Sequence, residues 1–284
     1  MKIDPKRIPV VRKGIILPIT TAVASWVDLL GYGAMIAEGQ FNPLRQESIR
    51  AGQRLRRFHA IVAAKSSRHF PTLVMNDGAV AYRDLSFRSS SVTYDFLRRS
   101  WDLFIAIQKD ELRASCPGAR MVVAAGFRMR SKRGRLDRTA GHFESLVIRL
   151  KDGKITADQA IREAVRIRPS FDVIPELQAN FAFTRAYVAD QSGGKGGLKG
   201  PRCFVDRSLF ADTLPDWIQF DEPIQWGHER LGLRVDFVPV RTLTPTKQPT
   251  GMRDGLQVAQ HLGGDADFLR DLRKLARAYH RGSA

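Results

Sequence analysis

Two apolar runs, each ending in an aspartate with glycine close behind it, constrain this chain most. Asp28 ends the first, within Ala24-Ser-Trp-Val-Asp-Leu-Leu-Gly-Tyr-Gly33. Asp77 ends the second, within Pro71-Thr-Leu-Val-Met-Asn-Asp-Gly-Ala-Val-Ala-Tyr82. Short continuous apolar runs bounded by glycine are typical of buried strands. The two acids are therefore expected at strand ends, where one sheet can bring them together.

The segments around these runs alternate between strand and helix patterns. Asn-Asp-Gly between two apolar runs predicts a tight hairpin. The predicted elements of the first half are a strand at 20–30, a helix at 43–66, the hairpin at 73–82, a helix at 93–110 and a strand at 121–125. This order predicts a mixed α/β (α+β) fold of ferredoxin-like type, with flanking helices.

The second half is less regular. Thr156 followed by Gln159 is typical of a capping box and predicts a helix at 154–167. The other predicted elements are a helix at 175–190, a flexible glycine-rich linker at 191–201, strands at 203–205 and 234–240, and a basic helix at 266–279. We expect one domain over 1–250 with an insertion at about 128–170, and a basic helical tail over 251–284.

The charge balance favours anionic partners. The net charge is +17, while a hydrophobic fraction of 43% argues against disorder. Nucleic acid, nucleotides and acidic surfaces all fit such a balance, and so does a protein that is simply basic and soluble. One dense basic run is typical of a solvated loop, with triphosphate or nucleic-acid binding as the alternative: Arg128, Arg130, Lys132, Arg133, Arg135 and Arg138.

Several other kinds of site are disfavoured. Cys116 and Cys203 have neither the spacing of a zinc site nor that of a disulfide framework, so a reducing cytosol is expected. The six histidines are scattered, which disfavours a histidine-based metal or nucleophile site. Basic residues before the apolar stretch 15–27 resemble a signal peptide, but Asp28 interrupts that stretch. No segment is long and apolar enough for a membrane span.

Each acid has a structural alternative. Asp28 could cap the helix that follows it, and Asp77 suits a tight turn by itself. Together they suit Mg²⁺, which binds through one or two carboxylates plus substrate phosphates. The glycines Gly31 and Gly33 would let backbone N–H groups approach a phosphate, and Tyr32 could flank a base or ribose.

These motifs resemble the catalytic domain of the class III nucleotide cyclase superfamily. Val27-Asp-Leu-Leu-Gly-Tyr32 is similar to the family's first metal motif, with Leu29 in the place of a carbonyl ligand. Met75-Asn-Asp-Gly-Ala-Val80 is similar to the second. The resemblance implies that Asp28, Leu29 and Asp77 hold two ions, Mg²⁺ or Mn²⁺. Residues 116–126 resemble the strand that follows these two motifs in the family. Arg120 in this run is a candidate contact to the base or to a phosphate of the substrate.

The short form of these motifs is most similar to bacterial antiphage pyrimidine cyclases, the Pycsar systems. That resemblance implies a homodimer in which the 3′-hydroxyl of a nucleoside triphosphate attacks the α-phosphate. Family members that use purines carry an Asn and an Arg four residues apart on a later helix. Here Asn180 and Arg185 are five apart, and Leu177 stands in the base-selecting place, which favours a pyrimidine.

Three functional hypotheses follow. The first is a metal-dependent nucleotide cyclase with Asn180 and Arg185 in the catalytic helix. The second is a cyclase-like domain that has lost catalysis and acts as a nucleotide sensor or interaction module, because the Asn/Arg spacing differs. The third, from charge alone, is a basic nucleic-acid-binding protein.

Overall fold

The computed structural model describes residues 19–129, 139–167, 174, 176–263 and 265–281. The strands are β1 Ile19–Leu29, β2 Thr72–Met75, β3 Gly78–Asp84, β4 Ala119–Met129, β5 Cys203–Asp206, β6 Ile218–Phe220, β7 Ile224–His228 and β8 Leu233–Leu243. The helices are α1 Tyr32–Glu38, α2 Gln46–Lys65, α3 Ser91–Arg113, α4 Thr139–Lys151, α5 Ala157–Arg166, α6 Phe181–Ser192, α7 Gly255–His261 and α8 Ala266–Arg281.

The eight strands form one mixed sheet. The order is β2-β3-β1-β4-β5-β8-β6, and β7 also pairs with β8. The pair β1–β3 is antiparallel, whereas β4–β5 is parallel. This confirms the predicted α+β fold with a mixed sheet and flanking helices.

The strands alternate between two covered faces, as the period of a strand requires. Val23, Val27 and Leu29 of β1 belong to the main hydrophobic core, together with Phe58 of α2 and Phe96 of α3. On the other face Trp26 contacts rings of α6. The central strand β1 is therefore buried on both sides, as its continuous apolar run predicts.

The chain divides into two compact units. One comprises residues 129–179, with α4 and α5, together with residues 1–18, which lie outside the described residues. The other comprises residues 19–128 and 180–284, and therefore includes the segment 251–284 that was predicted as a tail. The chain leaves the second unit and returns to it at a β-bridge between Arg128 and Asn180.

Some local predictions are confirmed and others are wrong. The capping box at Thr156 and Gln159 is present. The linker prediction at 191–201 is wrong, because Gly193–Gly196 forms a 3-10 helix and Leu198 is fully buried. The solvated loop predicted for the basic run from Arg128 to Arg138 is wrong for its first residues, since β4 continues to Met129. The helices α1, α4 and α7 and the strands β6 and β7 were not predicted.

Candidate functional site

The register of the sheet brings Asp28 and Asp77 to one edge. Asp28 pairs with Gly78 across the β1–β3 ladder, and Asp77 immediately precedes Gly78. The backbone N–H of Leu29 donates to the carbonyl of Asp77 at 3.1 Å. Because Met75 pairs with Gly78, the connection is a two-residue loop whose second residue is Asp77. The two predicted acids therefore lie on adjacent strand ends, as expected.

Packing on Trp26 holds the hairpin tip in place. A Cβ built on Gly78 would lie 2.2 Å from the Trp26 indole, so only glycine lets the ring lie against β3. Asn76, with φ 57°, takes the left-handed conformation that the loop needs. The glycine that marked a turn in the sequence therefore serves to seat Trp26, while Asn76 provides the turn conformation.

The turn after Asp28 brings Tyr32 close to the acids. Gly31 has φ +74°, a conformation that favours glycine, and Tyr32 follows as the first residue of α1. Burial and the nearby Asp77 raise the pKa of the buried Tyr32 phenol. Gly33 is exposed, with open space where a Cβ would be. The structure thus requires glycine at 31 and does not require it at 33.

A third carboxylate, Asp190, joins the site from α6. Its Oδ2 accepts a hydrogen bond from Trp26 Nε1 at 3.2 Å, and its Oδ1 accepts one from Arg120 Nε at 2.6 Å. The Arg120 guanidinium also donates to the carbonyls of Asp190 and Leu198. Arg120, the predicted substrate contact, is therefore part of a largely buried ion pair and is also bound by backbone carbonyls.

The electrostatics of Asp28 follow from this arrangement. Burial raises the pKa of Asp28 to about 7, and the charges of Asp190 and then Asp77 add to that effect, against opposing contributions from Arg120 and Arg54. Burial also raises the pKa of Asp190, although Arg120 opposes the shift. Negative charge is thus in excess around Asp28, and a bound cation would favour its ionised form.

The donor set suits a cation that substrate helps to bind. Within the described ranges, no three His, Cys, Asp or Glu side chains are arranged to hold a metal by themselves. Mg²⁺ does not need three, because it commonly uses one or two carboxylates together with substrate phosphates and water. Asp28 and Asp77 fit that requirement.

The structure does not bring Arg185 to these acids. Residues Phe183, Tyr187 and Asp190 share the face of α6 that meets Trp26, at spacings of four and three. Arg185 lies two residues from Phe183 and so on another face, where it donates to the Ala125 carbonyl at 2.6 Å and contacts Asp206 at 3.5 Å.

Asn180 is the N-cap of α6. It is fully buried, and its Oδ1 accepts a hydrogen bond from the N–H of Phe183 at 3.1 Å. The two residues predicted for the catalytic helix therefore have defined local contacts, separate from those of Asp28.

Only the first residue of the predicted basic run can be placed. Arg128 binds Asp84 with two hydrogen bonds, of 2.9 and 2.7 Å. Arg130, Lys132, Arg133, Arg135 and Arg138 lie outside the described residues. Among the helices that the structure describes, none is long and apolar enough to cross a membrane.

Sequence reasoning missed Asp190, although one signal pointed to such a residue. Arg120 directly precedes the apolar run Met121–Ala125, and an arginine that becomes buried requires an acidic partner. The pattern predicts that a partner exists, but Asp190 is 70 residues away and nothing local identifies it.

Neither a protein-family model nor a curated protein matches this sequence. Solved structures that are similar to the chain include two cyclase structures. One is the crystal structure of a guanylyl cyclase, at 11% identity, with 82% of this chain and 97% of that chain covered and a TM-score of 0.47. The other is the guanylate cyclase domain of a protein from Catenaria anguillulae in complex with GTP, at 7% identity, covering 79% and 98% of the two chains, with a TM-score of 0.41.

Proposed function

We propose that the protein is a nucleotide cyclase, which converts a nucleoside triphosphate into a 3′,5′-cyclic nucleotide and pyrophosphate. The observation that carries the proposal is the placement of Asp28 and Asp77 on adjacent strand ends, in a motif order that resembles class III cyclases. The excess of negative charge around Asp28 supports it, since such a site favours a divalent cation.

Some residues of the site would bind metal ions, and others pack beside those ligands. Asp28 and Asp77, with Leu29 as the third predicted ligand, would hold Mg²⁺ or Mn²⁺. Bound divalent ions would neutralise triphosphate charge and favour ionisation of the 3′-hydroxyl. On the α6 side, Trp26 and Arg120 both bind Asp190, and Trp26 also packs against Gly78 next to Asp77. The O3′–Pα bond would form as the bond from Pα to the leaving pyrophosphate breaks, and the proton of the hydroxyl would pass to solvent.

The turn after Asp28 and residue Leu177 would contact the substrate. Gly31, Tyr32 and Gly33 would lie beside the phosphates and ribose, and Tyr32 is already close to Asp77. Leu177, in the base-selecting place of the resemblance, favours a pyrimidine. The protein would act as a homodimer and would serve in antiphage signalling, as the resemblance implies.

The test is turnover by the purified protein. Each of the four ribonucleoside triphosphates is incubated with Mg²⁺ or Mn²⁺, and the products are separated by chromatography and identified by mass. We expect a 3′,5′-cyclic product from at least one pyrimidine triphosphate. Asp28→Asn and Asp77→Asn should each lower the rate at least a hundredfold, because each removes a charged ligand of a metal that stabilises the transition state.

Glu222→Gln is the matched control, because it removes an exposed carboxylate between β6 and β7, and β6 lies at the opposite end of the sheet order from the β2–β3 hairpin. It should leave the rate unchanged. Product formation that survives Asp28→Asn would contradict the site assignment. Absence of product from every triphosphate, with a known cyclase active in parallel, would contradict the enzymatic proposal.

A second candidate is a nucleotide-binding module without turnover. It is favoured by the contacts of Arg185, which is engaged by the Ala125 carbonyl and Asp206 away from the acids. Calorimetry would then detect binding of a triphosphate with Mg²⁺, and Asp28→Asn would abolish it, while no product forms. Binding together with product formation would exclude this candidate.

A further inference from the structure

The side-chain amide of Asn76 contacts one of the two predicted metal ligands. Its Nδ2 donates to Oδ1 of Asp77, the next residue of the hairpin loop, at 3.0 Å. Among the residues that the structure describes, the other carboxylate oxygen of Asp77, Oδ2, has no hydrogen-bond or ion-pair partner. One oxygen of the acid is therefore held by a neutral donor, and the other is left for a ligand.

The turn by itself does not require an amide side chain at position 76. Asn76 has φ 57°, whereas Asp77, the second residue of the loop, does not have a positive φ. Two-residue hairpin loops of this kind favour glycine at the first position, because a residue without Cβ takes that conformation most readily. The chain carries its glycine one residue after the loop instead, at Gly78 beside Trp26.

The main chain of the loop is fixed independently of that amide. The carbonyl of Asp77 accepts the N–H of Leu29 at 3.1 Å, which ties the loop to the end of β1. His59 of α2 places Nε2 2.9 Å from the Asn76 carbonyl, and this nitrogen donates, since a carbonyl can only accept. With the backbone held in this way, the amide acts on the part that can still rotate, the carboxylate of Asp77.

The number of oxygens that Asp77 offers bears on which cation binds. Mg²⁺ requires near-ideal octahedral geometry, and Mn²⁺ shares its preference for six oxygen ligands. Ca²⁺ accepts more ligands in a looser arrangement and often takes both oxygens of one carboxylate. Because Oδ1 of Asp77 is hydrogen-bonded to Asn76, ligation through both oxygens would break that bond. The arrangement therefore favours the smaller ions.

We propose that Asn76 is a positioning residue, which orients Asp77 to bind a cation through Oδ2 alone and so favours Mg²⁺ or Mn²⁺ over Ca²⁺. The inference rests on the proposed function only in that Asp28 and Asp77 hold a metal, and it requires neither a triphosphate nor turnover. Loss of a hydrogen-bond partner of a metal ligand typically weakens metal binding by about 10–100-fold. Asn76 is exposed, so we expect the lower end of that range.

The test measures cation binding to the purified full chain without nucleotide. Free Mn²⁺ is followed by electron paramagnetic resonance during a titration, and Mg²⁺ and Ca²⁺ are then added as competitors. Asn76→Gly removes the amide and keeps the left-handed conformation, so the hairpin should stay folded. Its affinity for Mn²⁺ and Mg²⁺ should fall about tenfold, while that for Ca²⁺ should be kept, because the freed carboxylate can bind through both oxygens.

Two further variants serve as controls. Asn42→Gly removes an amide from another exposed turn, where its Oδ1 accepts the N–H of Leu44, and it should bind all three cations as the wild type does. His59→Leu removes the contact to the Asn76 carbonyl and keeps the amide, so any loss of affinity should be the same for all three cations. Circular dichroism checks that each variant is folded.

The ratio of the Mn²⁺ affinity to the Ca²⁺ affinity decides the proposal. A ratio that falls about tenfold in Asn76→Gly alone supports it. An unchanged ratio, or an equal fall in His59→Leu, overturns it. A wild-type chain that binds no Mn²⁺ overturns both this inference and the proposed function. A chain that binds Mn²⁺ with the expected selectivity, but forms no cyclic product, retains the inference and overturns only the enzymatic proposal.

Discussion

The two faces of the sheet use the same kind of ion pair in different ways. Beside α2 and α3, buried Arg54 binds Glu111, and its guanidinium also donates to the carbonyls of Leu30 and Gly118. Beside α6, Arg120 binds Asp190 and the carbonyl of Leu198. The first pair consists of one acid and one base, and it links the turns at Leu30 and Gly118. The second pair lies beside Asp28 and Asp77, so negative charge remains in excess.

The difference shows how a buried arginine can serve stability or function. Glu111 also accepts a hydrogen bond from the N–H of Gly118, so the donors and acceptors around Arg54 form a closed set. Around Arg120 the set is open: the acids outnumber the bases, because Asp28, Asp77 and Asp190 lie near one arginine. Burial and the neighbouring acids raise the pKa of Asp28 to about 7. A region where one charge is left over is where a cationic ligand would be stabilised.

The largest expected effect is at the closed pair. Arg54→Met should lower the free energy of unfolding by roughly 3–5 kcal/mol, because it leaves Glu111 buried without its partner. Denaturant unfolding followed by circular dichroism measures it. Arg98→Met, which removes ion pairs on the part-exposed surface of α3, should cost less than about 1 kcal/mol. An equal loss of unfolding free energy in the two variants would show that the buried Arg54–Glu111 pair stabilises the fold no more than a surface pair.

The open pair should respond to divalent cations. Arg120→Met should lower stability by roughly 2–4 kcal/mol, since it leaves Asp190 unpaired beside two other acids. Millimolar Mg²⁺ or Mn²⁺ should recover part of that loss, because a cation can replace the missing charge. Arg54→Met should show a smaller recovery, because the influence of Arg54 on Asp28 is weaker than that of Arg120. The same cation response in both variants would contradict the contrast between the two faces.

Asp28 provides a pH test of the same contrast. Its pKa is about 7 in the folded protein and near 3.8 when unfolded, so the folded state holds more protons between pH 4 and pH 7. Its contribution to stability is therefore lost as pH rises through that window. Asp28→Asn stays neutral, so without divalent cations the variant should be more stable above pH 7 by about 2 kcal/mol, a discounted value because Asp28 is partly exposed.

Near pH 4 the difference between the wild-type protein and Asp28→Asn should disappear. Thermal unfolding in a chelating buffer at pH 4, 6 and 8 measures this dependence. Asp102→Asn, on the part-exposed surface of α3, serves as the control and should change little across the range. A constant difference between Asp28→Asn and wild type at all three values would show that Asp28 is not titrating there.

The smallest expected effect is at the beginning of α6. Asn180→Ala removes the cap on the N–H of Phe183 and should cost about 1 kcal/mol, whereas Asn180→Ser keeps an acceptor and should cost less. Asp190 lies in the last turn of α6, whereas Asn180 caps the first turn. The stabilisation of Arg120→Met by divalent cations should therefore be unchanged when Asn180→Ala is added. A changed response would couple the two ends of the helix.

The sequence predicts those features that depend on local patterns. The run before Asp28 and the Asn-Asp-Gly turn are enough to predict two strand ends and a hairpin, and the register of β1 and β3 then brings the acids together. Burial of charged residues is not local. Arg54 is 1% exposed because Glu111, 57 residues away, provides its partner. The helix α6 has small residues towards the sheet and no strong apolar stripe, so its register was not predictable.

The bridge between Arg128 and Asn180 has a consequence for how this protein can change. The backbone N–H of Met129 donates to the carbonyl of Ala179, so the stretch 129–179 starts and finishes on neighbouring hydrogen-bonded residues. A short glycine turn could replace the whole stretch without altering the strand pairing of the second unit. We therefore expect the second unit to tolerate lengthening, exchange or deletion of the α4–α5 hairpin, because the two ends of that stretch already lie side by side.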